Sequence, residues 1–146
     1  MRITHTRVVI IMVVVTVGLL TGELRLLAQP AVGGPRNVAT TLQLMKGLIK
    51  SSSDDLFKAA GEPPTAADGW TQVQLQALAL AESGNLLMIG NRVVDKTDWM
   101  KMARAMVDAA AEAASAADKK NGDALSAAGD KVYETCETCH AKYLKK

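Results

Sequence analysis

Apolar residues recur every three or four positions in four successive stretches of this chain, and no stretch shows the two-residue alternation of a strand. The first stretch covers residues 37–60. Its stripe runs Val38, Leu42, Met45, Ile49, and Leu44 and Leu48 widen the face. Ser51, Ser52 and Ser53 form a weak spot, where a serine caps a fresh turn carrying Asp54 and Asp55. Leu56 and Phe57 resume the apolar face, and Gly61-Glu62-Pro63-Pro64 stops it. The second stretch covers residues 66–89, opened by Thr65 and Asp68 in the spacing of a capping box. Trp70, Val73, Ala77, Leu80, Gly84 and Leu87 make an unbroken heptad-like seam. Gly84 at an inward position marks either a close approach by a bulky neighbour or a tolerated interior glycine.

The third stretch covers residues 98–119, with Thr97 as its N-cap and a seam of Trp99, Met102, Met106, Ala110, Ala113 and Ala117. Its alanine-rich half permits close helix packing. The fourth covers residues 123–144, with Leu125, Ala128, Val132, Cys136, Cys139 and Tyr143 on one side. Four helices of this length with short connections predict an all-α fold, an antiparallel up-down-up-down four-helix bundle. The composition agrees. Aromatics are only 3% of the 146 residues, and alanine, leucine and methionine supply the apolar content, which favours helices over a β-rich core. That length suits one domain.

The segment before the bundle is of a different kind. Arg2 and Arg7 precede a run that is apolar from Val8 to Leu20, the pattern of a secretory signal peptide over residues 1–28. The run is shorter than the roughly 20 apolar residues of a spanning helix. The competing reading is an uncleaved signal anchor, because Leu26-Leu27-Ala28 makes a poor cleavage site. Residues 29–36, QPAVGGPR, read as a flexible lead-in, and residues 37–146 as the helical domain. Loss of Arg2, Arg7, Arg25 and Glu23 with the leader leaves 14 of the 17 basic and 14 of the 15 acidic residues. The exported domain is therefore near neutral. It has no basic stripe with interleaved aromatics, which argues against a nucleic-acid binder. Export, to a periplasmic location, also places both cysteines in an oxidising compartment.

Those cysteines are Cys136 and Cys139, and His140 follows directly. On a helix all three point to one side, which continues the core-facing seam. Cys-x-x-Cys-His is the attachment sequence of c-type haem. The two thiols add to the vinyl groups on one edge of the porphyrin, and the imidazole ligates the iron as the proximal ligand. A thioredoxin-like pair expects a βαβ context. A structural zinc site wants four ligands, and this domain offers two cysteines and one histidine once His5 has left with the leader. A plain disulfide leaves His140 and the export signal as coincidence. One covalently attached haem c on the C-terminal helix is the favoured reading, with the disulfide and the redox pair as its alternatives.

At Cys136-Glu-Thr-Cys139-His140-Ala-Lys-Tyr143, near the end of a four-helix domain behind a leader, the chain resembles the class II c-type cytochromes. That class holds cytochrome c′ and its low-spin, cytochrome c556-like relatives. The resemblance covers about residues 37–146. The haem motif carries it, since the helix pattern alone is common. One departure stands out: Ser51–Ser53 occupy the place of the family's early proline. The resemblance implies two functional branches. Cytochrome c′ proteins leave the distal side of the iron open and bind nitric oxide or carbon monoxide. Their low-spin relatives place a methionine from the first helix on the iron and transfer electrons.

Met45 occupies that distal position, on the inward stripe between Leu42 and Ile49. Antiparallel packing brings the first and last helices together, so Met45 can reach over His140. A His/Met pair suits an electron carrier, because the thioether favours ferrous iron. The plainer role for Met45 is core packing. Met88, Met102 and Met106 read as core. Trp70 and Trp99 are expected at bundle ends, with a place beside the haem as the alternative, and Tyr143 against the haem edge. Lys142, Lys145 and Lys146 could steer an acidic partner, although a solvated helix terminus accounts for them as well. The expectation is an exported monohaem electron carrier, not an enzyme. Redox proteins are its partners, without nucleic acid or a small-molecule substrate, and it meets a membrane only if the leader is retained. The class includes homodimers formed through the first two helices, which the composition neither supports nor excludes. The alternative is a five-coordinate gas binder.

Overall fold

The computed structural model describes residues 33–144, so the leader, residues 29–32 of the lead-in, Lys145 and Lys146 lie outside the described residues. Pro35–Lys146 forms one compact unit, and Gly33 and Gly34 belong to the unit before it. Residues 33–36 carry no regular structure. The described chain is all-helical, with four helices that pack each against the next and the first against the last, consistent with a helical bundle. No described helix is long and apolar enough to cross a membrane.

Helix α1 is composite. Its parts are an α-helical turn at Thr41–Leu44, a π-helical turn at Met45–Ile49 and an α-helical body at Lys50–Gly61. Thr40 starts it with a full capping box: Gln43 N–H donates to Thr40 Oγ1 (3.2 Å) and Thr40 N–H donates to Gln43 Oε1 (2.9 Å). In the π turn the Lys50 N–H reaches back five residues to the Met45 carbonyl. A π turn holds an additional residue, so it rotates everything before it relative to everything after it. The expected stripe is corrected accordingly. Leu44 and Ile49, five apart, share the buried face with Leu56 and Ala59. Leu42 is 61% and Leu48 46% exposed, and Val38 lies before the helix, in solvent. The serines are no weak spot either. Ser52 and Ser53 are buried inside continuous helix, and Ser53 Oγ donates to the Lys50 carbonyl at 3.0 Å.

Helix α2 spans Ala67–Leu87 and buries the whole expected seam. Its start differs from expectation: Ala66 is the N-cap, with no side-chain cap, so Thr65 and Asp68 form no capping box. Gly84 marks a close approach. A Cβ there would stand 2.7 Å from Val107 Cγ2 and 3.3 Å from the Ala103 carbonyl, so α2 and α3 meet where only glycine fits. A 3-10 turn, Gly90–Arg92, follows. Helix α3, Asp98–Asp118, presents buried alanines at 103, 109, 110, 113, 114, 116 and 117, and their small side chains let neighbouring helices come close. Helix α4, Gly122–Tyr143, is capped by Asn121, whose Oδ1 accepts from Ala124 N–H at 3.0 Å. Leu56, Leu80, Leu125 and Val132 are the largest fully buried side chains. Each contributes roughly 1.5–3 kcal/mol by leaving water.

Candidate haem site

The last two turns of α4 carry Cys136, Cys139 and His140. Burial fades along that helix. Val132 is fully buried, Cys136 and Cys139 are half-buried and His140 is exposed. The motif thus lies where the core opens to the surface. It lines an apolar cavity with Met45 and Ile49 from α1, Leu87 from the end of α2, and Trp99, Met102 and Met106 from α3. All four residues expected from the sequence to bind or ligate, Met45, Cys136, Cys139 and His140, therefore share one cavity. Cys136 and His140 also border an open surface groove with Tyr133, Glu137 and Leu144.

The donor set fits a c-type haem. It offers two thiols one turn apart, an imidazole beside the second, and a thioether across an apolar cavity. At about 30 Å³ the cavity is a seam wide enough for one water, and a macrocycle would have to part its walls. Burial pushes both thiols above the ordinary cysteine value, and Cys136 itself raises Cys139 further. A redox-active dithiol needs the opposite shift, toward thiolate. The thioredoxin-like alternative loses support on that ground.

Met106 is core as expected, 6% exposed, and it also stands in the cavity wall beside the half-buried Met102. Trp99 is not merely an end plug. It is 4% exposed, lines the cavity, and donates its indole N–H to the Leu87 carbonyl at 2.8 Å. Tyr143 packs edge-on against it, with ring centroids 5.1 Å apart and planes at 76°. The Tyr143 hydroxyl donates to Asp95 Oδ2. Asp95 Oδ1 accepts from Thr97 N–H (3.0 Å), Thr97 Oγ1 (3.0 Å) and Trp99 N–H (3.1 Å). Thr97 therefore makes no side-chain cap for α3, and Asp95 satisfies the orphan donors there instead.

The bond from Tyr143, and then that from Trp99 N–H, hold the Asp95 carboxyl well below its ordinary range. Burial, and then Asp95, raise the Tyr143 phenol. Lys142 pairs with Asp98, which raises its pKa, and its ammonium lies 5.5 Å from the Tyr143 ring centroid. One of the three lysines that could steer a partner is thus paired, at the surface, with α3. The aspartate network was missed from sequence. Its signal was there in Asp95-x-Thr97-x-Trp99, an aspartate placed to bond backbone two and four residues on.

Residues 93–144 match the family model described as Cytochrome C′. The matched part holds α3, α4 and the complete Cys-x-x-Cys-His motif, and it bears out the resemblance to class II cytochromes c. It implies a c-type haem and a role as electron carrier or gas binder. Helix α1 and Met45 lie outside the matched residues. No curated protein and no solved structure matches the chain.

Proposed function

We propose that this chain is an exported monohaem c-type cytochrome that carries single electrons, with His140 and Met45 as the axial ligands of its iron. In this reading the four helices run antiparallel, and the haem is attached covalently through Cys136 and Cys139. The observation that carries the reading is the cavity shared by Met45 with Cys136, Cys139 and His140. When bound, the haem supplies reversible one-electron exchange between ferrous and ferric iron. The chain's own residues do the rest. His140 and Met45 would both hold the iron, and two fixed protein ligands would leave little to rearrange when its charge changes. Ile49, Leu87 and Met106 keep water from the iron and lower the local dielectric. Trp99 and Tyr143 brace the wall beside His140, through Leu87 and Asp95. In this reading the protein is a carrier and not an enzyme, and its partners are redox proteins of the periplasm.

A second reading follows from the family match, which covers α3 and α4 and leaves the distal side undetermined. A five-coordinate protein would bind nitric oxide or carbon monoxide, with Met45 as packing. Absorption spectra of the matured ferric and ferrous protein decide between them, taken beside Met45→Ala with and without carbon monoxide. The carrier predicts a low-spin wild type that refuses the gas and a high-spin variant that binds it. A wild type already high-spin and gas-binding belongs to the second reading.

A further inference from the structure

The chain just before α1 is fastened to the turn between α2 and α3 by two side chains. Arg92 is only 6% exposed, and the three ion pairs found among the described residues do not include it. Its charge is satisfied by carbonyls instead. Nε donates to Ala39 O and Nη1 to Leu86 O, both at 2.9 Å. A buried guanidinium is costly unless bonded, so both carbonyls are held firmly in place. Asn37 adds the second fastening. Its Nδ2 donates to the Ile89 carbonyl at 3.1 Å and also to Asn91 Oδ1. It sits against Gly90, where φ is +61° and any Cβ would stand 2.8 Å from Asn37 Nδ2. The turn thus leaves a notch that Asn37 fills.

Six residues after Ala39 the helix becomes irregular. The α-helical turn Thr41–Leu44 lies between this latch and the π turn Met45–Ile49, and Met45 is the first residue of the π turn. Beyond it, Leu56 and Ala59 bury the body of α1. The π turn breaks the regular bonding pattern of the helix, and Gly47 within it has open space where a side chain would be. The π turn thus sets the first turns of α1 out of phase with the body of their own helix. Their orientation depends on what grips them from outside, and the grips before Met45 are Arg92, Asn37 and the burial of Leu44.

We propose that Arg92, with Asn37, is a positioning residue for Met45. The latch holds the first turns of α1 against the α2–α3 turn and so keeps the Met45 side chain at the cavity it shares with His140. Release of the latch lets those turns swing about the π turn and opens the distal side of the iron. This inference rests on the reading of Met45 as a ligand.

The experiment uses the matured holoprotein and reads spin state and carbon monoxide affinity for six proteins: wild type, Met45→Ala, Arg92→Gln, Arg92→Lys, Asn37→Ala and Leu125→Ala. Leu125 is fully buried in α4, 11 residues before Cys136, roughly 16 Å along the helix, so its truncation destabilises the bundle away from the Cys136–His140 motif. Arg92→Gln should turn partly high-spin and bind carbon monoxide about tenfold more tightly, since apparent affinity scales with the fraction of molecules whose site is open. Asn37→Ala should shift the same way by less, and Arg92→Lys should recover part of the loss. Leu125→Ala should lower the melting temperature without changing gas affinity.

The inference is overturned if Arg92→Gln and Asn37→Ala keep the wild-type spectrum and refuse the gas while Met45→Ala responds. It is equally overturned if Leu125→Ala opens the site as much as they do. Should Arg92→Gln not fold, Asn37→Ala decides alone. A wild type that is itself high-spin, or a Met45→Ala spectrum unchanged from wild type, brings down the underlying reading, and the inference with it.

Discussion

The two walls of the cavity are built in different ways. The wall around His140 stands on two long, regular helices, α3 and α4, and local sequence shapes it. The thiols and imidazole fall within five residues, and Asp95 takes up the donors of Thr97 and Trp99 at the start of α3 within another five. The wall around Met45 is a short α-helical turn and a π turn, kept in place by an arginine 53 residues away from the carbonyl it grips. The family match follows the same division, covering residues 93–144 and ending short of Met45. Attachment chemistry needs fixed spacing, which a helix supplies from sequence alone. A sixth ligand needs only to arrive, and the route by which it arrives is a tertiary matter.

The largest expected effect separates the walls outright. Replacing Cys136 and Cys139 together by serine should abolish covalent attachment, so that acidified acetone extracts any haem present. Met45→Ala should leave attachment complete. If both proteins retain covalent haem, the assignment of the thiols is wrong.

A smaller effect tests the bracing of the His140 wall. Trp99→Phe keeps an aromatic ring against Tyr143 but leaves the Leu87 carbonyl without its donor. An unsatisfied buried acceptor costs about 1–3 kcal/mol, to be read in urea unfolding. Spin state should stay as in the wild type, unlike the outcome at Arg92. A Trp99→Phe protein as stable as the wild type would show that the indole bond contributes nothing net.

The smallest effect is a pH dependence. Asp95 is held below its ordinary value of 3.8, so its contribution is fully present above that pH and is lost as the pH falls through the lowered value. Tyr143, raised above 10.0, works in the opposite sense, and its contribution is lost as the pH climbs through the raised value. Tyr143→Phe removes the leading cause of the Asp95 shift and should flatten the acid limb of a plot of melting temperature against pH. An acid limb identical to wild type would mean that the bond to Tyr143 does not govern Asp95.

Much of this protein is legible from residue order. The four helix patterns lie within a few residues of α1 to α4, and the seam of α2 is buried as its three-and-four spacing requires. Cys136, Cys139 and His140 share a helix side because five consecutive residues on a helix leave them no other arrangement. Gly84 is legible in kind, as an inward glycine, although its neighbour Val107 is not.

The stripe of α1 fails for a stated reason. Counting by threes and fours presumes 3.6 residues per turn, and the π turn at Met45–Ile49 holds one more. Met45 keeps its place at the cavity, while Leu42 and Leu48 turn outward. Thr97 misleads in a similar way: a threonine before a helix is a good cap by type, but Asp95 reaches the same donors first and does so as a carboxylate. Arg92 gives no sign at all in sequence, because a buried arginine and a solvated one have the same neighbours in the chain.

Residue order by itself determined the helices, the side of α4 that bears the thiols and imidazole, and the caps that bond within a few residues. Those features depend on helical period and on chemistry between near neighbours. Only the tertiary structure decided where α1 turns out of phase, which methionines reach the cavity, and what holds Ala39 to the turn at Arg92. Those depend on groups far apart in the chain, whose meeting is set by packing of the whole bundle.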